Sequence, residues 1–357
     1  MRILTVVGNR PQFVKAAAVS GPLREVHEEV LVHTGQHYDD DLSAVFFDEL
    51  ELPRPDYELR LGTGTNTAQT ARMLGALEPL AADVEPDAVL VYGDTNSTLA
   101  GGLAGAQLGL PVAHVEAGMR SFDRTMPEEL NRVLTDHLSS LLLCPTPTAI
   151  ANLEREGVAG RAELVGDVMA DVAALVGERV AGDETALAAA DVMRGGYVLV
   201  TAHRAGNVDD PKRLARLVEL IEALPLPAVL PLHPRTRARL EDAGLFERLE
   251  RAPHVVLRPP LGYLEFAALL AGAQAVLTDS GGVQKEAYLA GVPCVTLRDR
   301  TEWVETVAAG WNVLVDLDAT AALAALERPR PSKRAALYGD GQAGRRVVAA
   351  LSDLFGE

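Results

Sequence analysis

Residues 89–132 read VLVYGDTNSTLAGGLAGAQLGLPVAHVEAGMRSFDRTMPEELNR, and this stretch decides the predicted fold. Two short apolar runs in it end abruptly in polar residues, and Pro127-Glu128-Glu129 then opens a helical pattern. The loops that follow the strands of a parallel α/β sheet line its ligand crevice. The pattern therefore predicts that Asp94, Glu116 and Glu128 converge on one crevice from three successive strand–helix junctions.

Acids gathered at one crevice suit proton transfer, because like charges and partial burial bring the pKa values of carboxyl groups closer to neutrality. The alternative is that these three are solvated loop acids, since the chain has 50 acidic residues against 33 lysines and arginines. The spacing of the acids leaves both interpretations open.

The length and charge of the chain limit its class. A chain of 357 residues favours two domains, and 48% hydrophobic residues are enough for large cores. The net charge of −17 argues against nucleic acid or an anionic membrane as a partner. Cys144 and Cys294 lie in apolar runs, which favours buried free thiols and a cytoplasmic protein. No signal peptide and no metal-ligand spacing of cysteines and histidines is evident, so we expect no metal.

Strand-like and helical patterns alternate along the whole chain, which predicts parallel sheets covered on both faces. In the first half the strand-like runs are residues 3–7, 30–33, 88–92, 112–115, 141–144 and 163–165, and one helix is expected over 66–82 with Asn66 as its N-cap. After an alanine-rich stretch at 177–196, the runs are 197–201, 228–232, 255–257, 275–278, 294–297 and 313–315. We therefore predict two doubly wound, Rossmann-like domains that face a cleft, over 1–176 and 177–341, and a last helix in 342–357 that packs on either of them.

Several cationic and glycine-rich turns follow the predicted strands. Gly8-Asn9-Arg10-Pro11 opens a helix without the GxGxxG fingerprint of dinucleotide sites, so Arg10 and Lys15 are either phosphate ligands or surface cations. In the second domain, His203 and Arg204 end the first strand, where a ligand would bind. His203 is expected to bind a diphosphate or move a proton, with a structural role as the alternative, and His233 is a weaker candidate.

The sequence TDSGGVQKEA (residues 278–287) carries the most specific signal of the second domain. A strand runs into Ser280-Gly281-Gly282, which opens a helix, and bare N–H groups at a helix N-terminus bind phosphate. Glu286, one turn further, is placed to accept both hydroxyls of a ribose. The alternative is a tight turn followed by a surface glutamate.

Taken together, the motifs of this chain resemble those of the non-hydrolysing UDP-N-acetylglucosamine 2-epimerases, relatives of the glycosyltransferase-B fold. The resemblance covers essentially the whole length. The matching motifs are GNRPQFVK (8–15), TGQH (34–37), YGDTNST (92–98), HVEAGMRS (114–121), MPEELNRVLTDH (126–137), TAHR (201–204), LTDSGGVQKEA (277–287), LRDRTEWVE (297–305) and YGDGQA (338–343).

The resemblance implies a homodimer without a cofactor that takes a UDP-sugar, with UDP on the second domain and the sugar facing the first. It also implies a place in polysaccharide biosynthesis. The catalytic positions implied are Asp94, Glu116, Glu128 and His203. The substrate-binding positions implied are Arg10, Lys15 and Arg132 near the diphosphate and sugar, Arg204 beside His203, Ser280, Gly281 and Gly282 at the phosphate, and Glu286 at the ribose.

The chain departs from the family pattern in places. Gln12 stands where the family often has glutamate, and Gly206 replaces the glutamate of the pattern HRxEN. Trp303-Val304 resembles a subgroup that includes epimerases of UDP-2,3-diacetamido-glucuronic acid, which leaves the exact sugar open. An effector pocket of many bacterial members is partly built from a motif QHRxMLDQ. Here that stretch reads Gln36-His37-Tyr38 and then has three aspartates at 39–41, so we expect this pocket to be lost.

The implied reaction is a reversible epimerisation at C2. UDP leaves C1 as a base removes the C2 proton, which gives 2-acetamidoglucal, and UDP then re-adds while a proton returns to the opposite face. The alternatives are a glycosyltransferase of the same fold, a hydrolysing epimerase, and a nucleotide-sugar sensor without catalysis. The sensor is supported only by Gly206.

Overall fold

The computed structural model describes residues 1–36, 49 and 52–355. Its contacts divide the chain into two compact units. The first unit comprises Met1–Ala174 and Ala336–Glu357, and the second comprises Leu175–Ala335.

Within the described part of the chain, seven strands and the helices around them build the first unit. The strands are β1 (Arg2–Val7), β2 (Glu28–His33), β3 (Tyr57–Glu58), β4 (Ala88–Tyr92), β5 (Val112–Val115), β6 (Leu141–Cys144) and β7 (Arg161–Leu164). The helices are α1 (Arg10–Val26), α2 (Asn66–Val84), α3 (Asn96–Gln107), α4 (Pro127–Leu138), α5 (Pro147–Glu156), α6 (Val168–Val180) and the last helix, α16 (Ala343–Phe355). The boundary between the two units falls inside α6, after Ala174. All strand pairs are parallel, in the order β3-β2-β1-β4-β5-β6-β7.

Helices cover both faces of this sheet, as alternate side chains of β1 show. Ile3 and Val7 belong to one buried cluster, and Leu4 and Val6 belong to another. This explains why the strands are apolar on both sides. The last helix, α16, packs on α1, and its Val347 shares the first of these clusters.

The second unit repeats the architecture with six strands. The strands are β8 (Val198–Thr201), β9 (Ala228–Pro231), β10 (Val255–Arg258), β11 (Ala275–Thr278), β12 (Cys294–Thr296) and β13 (Asn312–Leu314). The helices are α7 (Thr185–Ala189), α8 (Ala205–Val208), α9 (Pro211–Glu222), α10 (Pro234–Asp242), α11 (Phe246–Arg251), α12 (Tyr263–Gly272), α13 (Gly281–Ala290), α14 (Val304–Ala308) and α15 (Ala319–Leu326). The sheet is parallel, in the order β10-β9-β8-β11-β12-β13.

The prediction of two doubly wound parallel sheets is confirmed, with two local corrections. The short strand β3 was not predicted, because two exposed residues carry no apolar pattern. The N-cap of α2 is Thr65 rather than Asn66, since the Thr65 hydroxyl accepts a hydrogen bond from Ala68 N at 3.3 Å. In both sheets the strand order reverses beside the central strand, between β1 and β4 and between β8 and β11. Ligands of such sheets bind at these points, beyond the carboxyl ends of the strands.

Candidate active site

Gly93, directly after β4, brings a cation and an acid of the first unit together. Its φ of 64° lies in the left-handed region, and a Cβ built on it would lie 3.1 Å from Lys15 Nζ and 3.4 Å from Glu116 Oε2. A larger residue would be strained there and would crowd both charged groups. The glycine of the YGDTNST motif thus makes room for this pair.

Lys15 and Glu116 form an ion pair from α1 to the loop after β5, and each side chain is only 14% exposed. Burial alone lowers the pKa of Lys15, but the carboxylates of Glu116 and Asp94 outweigh it, so the pKa of Lys15 lies above its usual value. Glu116 itself has a φ of 73°, which is strained for a residue with a side chain. Such strain persists where the surrounding structure enforces it, often at functional sites.

Asp94 has a cation of its own. Its carboxylate accepts a hydrogen bond from Arg132 at 2.5 Å, and Arg132 also reaches Glu129 at 3.0 Å. The amide of Asn131 donates to the Asp94 carbonyl oxygen at 2.9 Å, which fixes the backbone of the loop to α4. The sequence suggested three like charges at one crevice, whereas the structure pairs Asp94 and Glu116 each with a cation.

The other two predicted residues of this unit lie on the surface. Glu128 is exposed in the first turn of α4, and none of the contacts just described involves it. The buried acid of that turn is its neighbour Glu129, which accepts hydrogen bonds from Ser121 N at 2.8 Å and Phe122 N at 2.9 Å. Arg10 is exposed at the first residue of α1. The structure thus brings together Asp94, Glu116, Lys15 and Arg132.

A buried network behind these residues was not predicted. His114 Nδ1 lies 2.7 Å from a carboxylate oxygen of Asp136, and His114 Nε2 lies 2.7 Å from the Gly93 carbonyl oxygen, so both ring nitrogens are hydrogen-bonded. Asp136 also accepts from Arg120 at 2.7 Å and from Gly118 N at 3.1 Å. The network connects the backbone turns after β4 and β5. Its sequence signal is a histidine inside the apolar run Val112–Val115.

Gln12 uses both ends of its buried amide. Its oxygen accepts from Gly8 N at 2.7 Å, and its nitrogen donates to the Tyr92 carbonyl oxygen at 2.8 Å and to Thr98 Oγ1 at 2.9 Å. The side chain therefore ties together the turns after β1 and β4. A carboxylate at this position could not donate those two hydrogen bonds.

Asp279 holds the predicted histidine loop of the second unit. This fully buried carboxylate accepts from the backbone N–H of His203 at 3.1 Å and of Arg204 at 3.0 Å, and from the Asn207 amide at 3.1 Å. The His203 ring is left 40% exposed and lies 5.5 Å, between centroids, from the ring of His233. Asp279 belongs to the motif TDSGGVQKEA, but the sequence did not indicate its role. Its hydrogen bonds fix the backbone of the loop after β8.

The predicted phosphate turn, Ser280-Gly281-Gly282, opens α13. A Cβ on Gly281 would lie 2.3 Å from Glu302 Oε1, so a side chain at this position would displace that carboxylate. The indole Nε1 of Trp303 donates to the Gly281 carbonyl oxygen at 2.8 Å, and Lys285 Nζ lies 4.7 Å from the centroid of the Trp303 ring. Glu286 is half-buried within the second turn of α13.

The described residues also bear on the predictions about the cysteines, metal binding, membrane-spanning helices and the effector pocket. The predicted buried free thiols are confirmed, and burial raises the pKa of both Cys144 and Cys294 to about 12. Among the residues that the structure covers, no three histidines, cysteines or acids are grouped to hold a metal ion, and no helix is long and apolar enough to cross a membrane. The expected loss of the effector pocket rests on residues 37–42, which lie outside the described residues.

Known proteins resemble this chain over its whole length. A sequence profile described as UDP-N-acetylglucosamine 2-epimerase matches residues 23–352. A UDP-N-acetylglucosamine 2-epimerase homolog of Methanococcus maripaludis is 46% identical over 360 residues, covering 99% of this chain and 100% of that protein. The UDP-2,3-diacetamido-2,3-dideoxy-D-glucuronate 2-epimerase of Pseudomonas aeruginosa is 48% identical over 366 residues, with the same coverage. The crystal structure of Methanocaldococcus jannaschii UDP-N-acetylglucosamine 2-epimerase with UDP-N-acetylglucosamine and UDP matches with a TM-score of 0.87 and 41% identity, covering 99% of this chain and 100% of that one.

The two parallel α/β units and these likenesses define an enzyme of the glycosyltransferase-B type. The chain belongs to the UDP-N-acetylglucosamine 2-epimerase family, and it is accordingly a 2-epimerase.

Proposed function

We propose that this enzyme interconverts UDP-N-acetylglucosamine and UDP-N-acetylmannosamine by eliminating and re-adding UDP. The observation that carries the proposal is the pairing of Asp94 with Arg132 and of Glu116 with Lys15 at the reversal point of the first sheet. The acids would remove and return the proton at C2, and the cations would stabilise the negative charge of the leaving diphosphate. The likeness to relatives named for this reaction supports it.

The reaction needs groups on two faces of the sugar. The C2 proton is not beside a carbonyl group, so its removal is coupled to the breaking of the C1–O bond to UDP. The electron pair of the C2–H bond becomes the C1=C2 double bond of 2-acetamidoglucal, and UDP leaves with the electrons of the C1–O bond. Re-addition delivers a proton to the opposite face of C2, which a single carboxylate cannot do. We assign this proton chemistry to Asp94, Glu116 and Glu128.

The second unit is proposed to hold UDP. Ser280, Gly281 and Gly282 would present the N–H groups at the start of α13 to the diphosphate, and Glu286 would accept the ribose hydroxyls. His203 and Arg204 follow β8, on the neighbouring strand, with their backbone fixed by Asp279. Arg10, Lys15 and Arg132 are proposed as cations that stabilise the departing diphosphate. No cofactor has a part in this scheme.

The test is NMR of UDP-N-acetylglucosamine incubated with the enzyme in D2O. Deuterium should appear at C2 in both the substrate and product pools, because the removed proton exchanges with solvent. Product that retains the original hydrogen would contradict the elimination. Conversion without any acceptor also separates an epimerase from a glycosyltransferase, and release of free N-acetylmannosamine would indicate a hydrolysing enzyme.

A second candidate substrate is UDP-2,3-diacetamido-glucuronic acid. It is favoured by the relative that is named for this sugar and is 48% identical over 99% of the chain. The same NMR assay, run on both nucleotide sugars, ranks them by kcat/KM. We also propose a homodimer, which light scattering on the purified enzyme would test.

A further inference from the structure

A cavity of about 340 Å³ lies beside the loop after β8. Its lining includes four arginines, Arg204, Arg213, Arg298 and Arg300, together with Gly206. All of these residues belong to the second unit. In a chain with a net charge of −17, four guanidinium groups around one cavity are unusual.

Three acids at the cavity pair with its four arginines. Asp316 pairs with Arg213, and Asp299 lies 3.8 Å from Arg300. Glu302 is shared, with Oε2 accepting from Arg298 at 2.9 Å and Oε1 lying 3.5 Å from Arg204. Four guanidinium groups thus share three carboxylates at the cavity, while the buried carboxylate of Asp279 lies behind it and accepts from Arg204 N and the Asn207 amide. A bound oxyanion would give these guanidinium groups a further shared partner, because arginine binds carboxylates and phosphates through paired N–H groups.

Gly206 lines the cavity without a side chain. Its φ is not in the left-handed region, and a Cβ built on it would meet no atom within 4 Å. Neither the backbone nor packing therefore requires a glycine here. Because Gly206 lines the cavity, a carboxylate side chain at this position would lie among the arginines. With glycine, that place is available to a carboxylate from a ligand.

We propose that the arginine cavity at Gly206 binds an oxyanion, and that its source is the carboxylate of a uronic-acid sugar on the bound nucleotide. The inference rests on the proposed UDP-sugar function and, within it, favours the second candidate substrate, a uronic-acid nucleotide sugar, over UDP-N-acetylglucosamine. Arg204 connects the two sites, because its Nη2 would lie 3.6 Å from a Cβ on Gly281 in the phosphate turn. A nucleotide held at that turn therefore lies next to a wall of the cavity. A free inorganic anion would supply the same chemistry, and the experiment separates the two sources.

The test uses UDP-glucuronic acid and UDP-glucose, which differ only at C6. This carbon is a carboxylate in UDP-glucuronic acid and a hydroxymethyl group in UDP-glucose. Calorimetry with the full-length protein should show UDP-glucuronic acid binding tighter by on the order of ten-fold or more, the worth of hydrogen bonds to a charged group. Gly206→Glu, which supplies its own carboxylate, should abolish this preference. Gly206→Gln, with the same shape and no charge, should retain it. Binding of UDP alone should be equal in all three proteins and serves as the control for folding.

A second titration adds inorganic phosphate to the UDP-saturated protein. Phosphate binding that Gly206→Glu removes, without a preference between the two UDP-sugars, would assign the cavity to a free anion. Equal affinity for the two UDP-sugars together with no phosphate binding would overturn the inference while leaving the proposed function intact. Loss of the preference in Gly206→Gln as well would show that shape rather than charge governs the site, and would also overturn it. A wild-type protein that does not bind UDP would contradict the proposed function itself and the inference with it.

Discussion

The ammonium of Lys15 pairs with the carboxylate of Glu116, joining the first helix of the chain to the loop after β5. Gly93 lies beside this pair, and a Cβ on it would be 3.1 Å from Lys15 Nζ and 3.4 Å from Glu116 Oε2. Arg132 and Asp94 form a second pair of the same kind. Opposite charges thus hold the two acids in place before any substrate is bound.

We expect Asp94→Asn, Glu116→Gln and Glu128→Gln each to reduce turnover by roughly 10²–10⁴, the usual contribution of a positioned acid or base. UDP affinity should change little, because the proposal assigns UDP to the second unit. Steady-state rates and calorimetry of UDP measure the two effects. Glu154→Gln, at an exposed acid of the same unit, is the control. Near-normal rates in all three amide variants would identify these acids as solvated loop residues.

Glu286→Ala should weaken UDP binding by about 1.5–3 kcal/mol, the range for hydrogen bonds to a charged group. The physical reason is the loss of the carboxylate proposed to accept both ribose hydroxyls. Calorimetry of UDP against the wild type gives the difference directly. Glu247→Ala, at an exposed glutamate of the same unit, should bind UDP normally. Unchanged affinity in Glu286→Ala would remove the ribose role.

The kinetics of the enzyme should be hyperbolic in both directions. Residues 39–41 are aspartates, and like charge disfavours a second UDP-sugar at this place. A ligand regulates only through different affinities for two states, so an enzyme without the second pocket should lack substrate activation. The reverse reaction should therefore start from UDP-N-acetylmannosamine alone. A lag that a trace of UDP-N-acetylglucosamine abolishes would show that an effector site exists.

The sequence predicted the alternation of strands and helices, because buried parallel strands are continuous apolar runs such as Ala88–Tyr92. It also indicated Asp94, Glu116 and Ser280, since residues after parallel strands lie at one edge. It did not indicate which acids are paired. The partners Lys15 and Arg132 lie 101 and 38 residues away from Glu116 and Asp94, and no local pattern encodes such distances.

The arginine cavity was also beyond prediction from sequence. Its lining comes from the loops after β8, β12 and β13 and from the helices α8 and α9, which the sheet order brings together. The sequence did mark Gly206 as a departure from the family pattern. What that glycine leaves open could be found only from the space around its backbone.

Replacing Gln12 by glutamate tests the amide that joins the turns after β1 and β4. Gln12→Glu should lower the free energy of unfolding by about 1–3 kcal/mol at pH 8, because a carboxylate cannot donate to the Tyr92 carbonyl oxygen and Thr98 Oγ1, and its charge would lie beside that carbonyl oxygen. The Tyr92 oxygen keeps the hydrogen bond from the Thr98 hydroxyl at 2.6 Å. Burial should raise the pKa of the introduced carboxyl group above its unfolded value of about 4.3. Its protonated form is therefore favoured in the folded state, and the loss should shrink as pH falls from 8 to 5. Gln12→Met, of similar shape but without ionisation, should lose stability equally at both pH values.

Asp136→Asn tests the buried network behind the first-unit site. Burial raises the pKa of Asp136, but the hydrogen bond and charge of His114 and the charge of Arg120 outweigh it, and the pKa lies below its usual value. The unfolded chain therefore takes up the proton first as the pH falls. The stability that Asp136 contributes is complete above its unfolded pKa of about 3.9 and is lost as the pH falls through the lower folded value. At pH 7 we expect a loss of about 3–5 kcal/mol, because the variant removes one of the two carboxylates that pair with the buried guanidinium of Arg120, the other being Glu156.

The same variant should unfold with a shallower acid dependence than the wild type, since asparagine does not titrate. Urea unfolding at pH 7 and at pH 3.5, followed by circular dichroism, measures both effects. Both tryptophans, Trp303 and Trp311, lie in the second unit, whereas Asp136 lies in the first. Tryptophan fluorescence would therefore report unfolding of the second unit, and circular dichroism is needed for the first. Asp83→Asn, at an exposed acid on α2, is the matched control. An equal loss at both pH values would show that Asp136 acts through packing rather than through its charge, because only the charge disappears with acid.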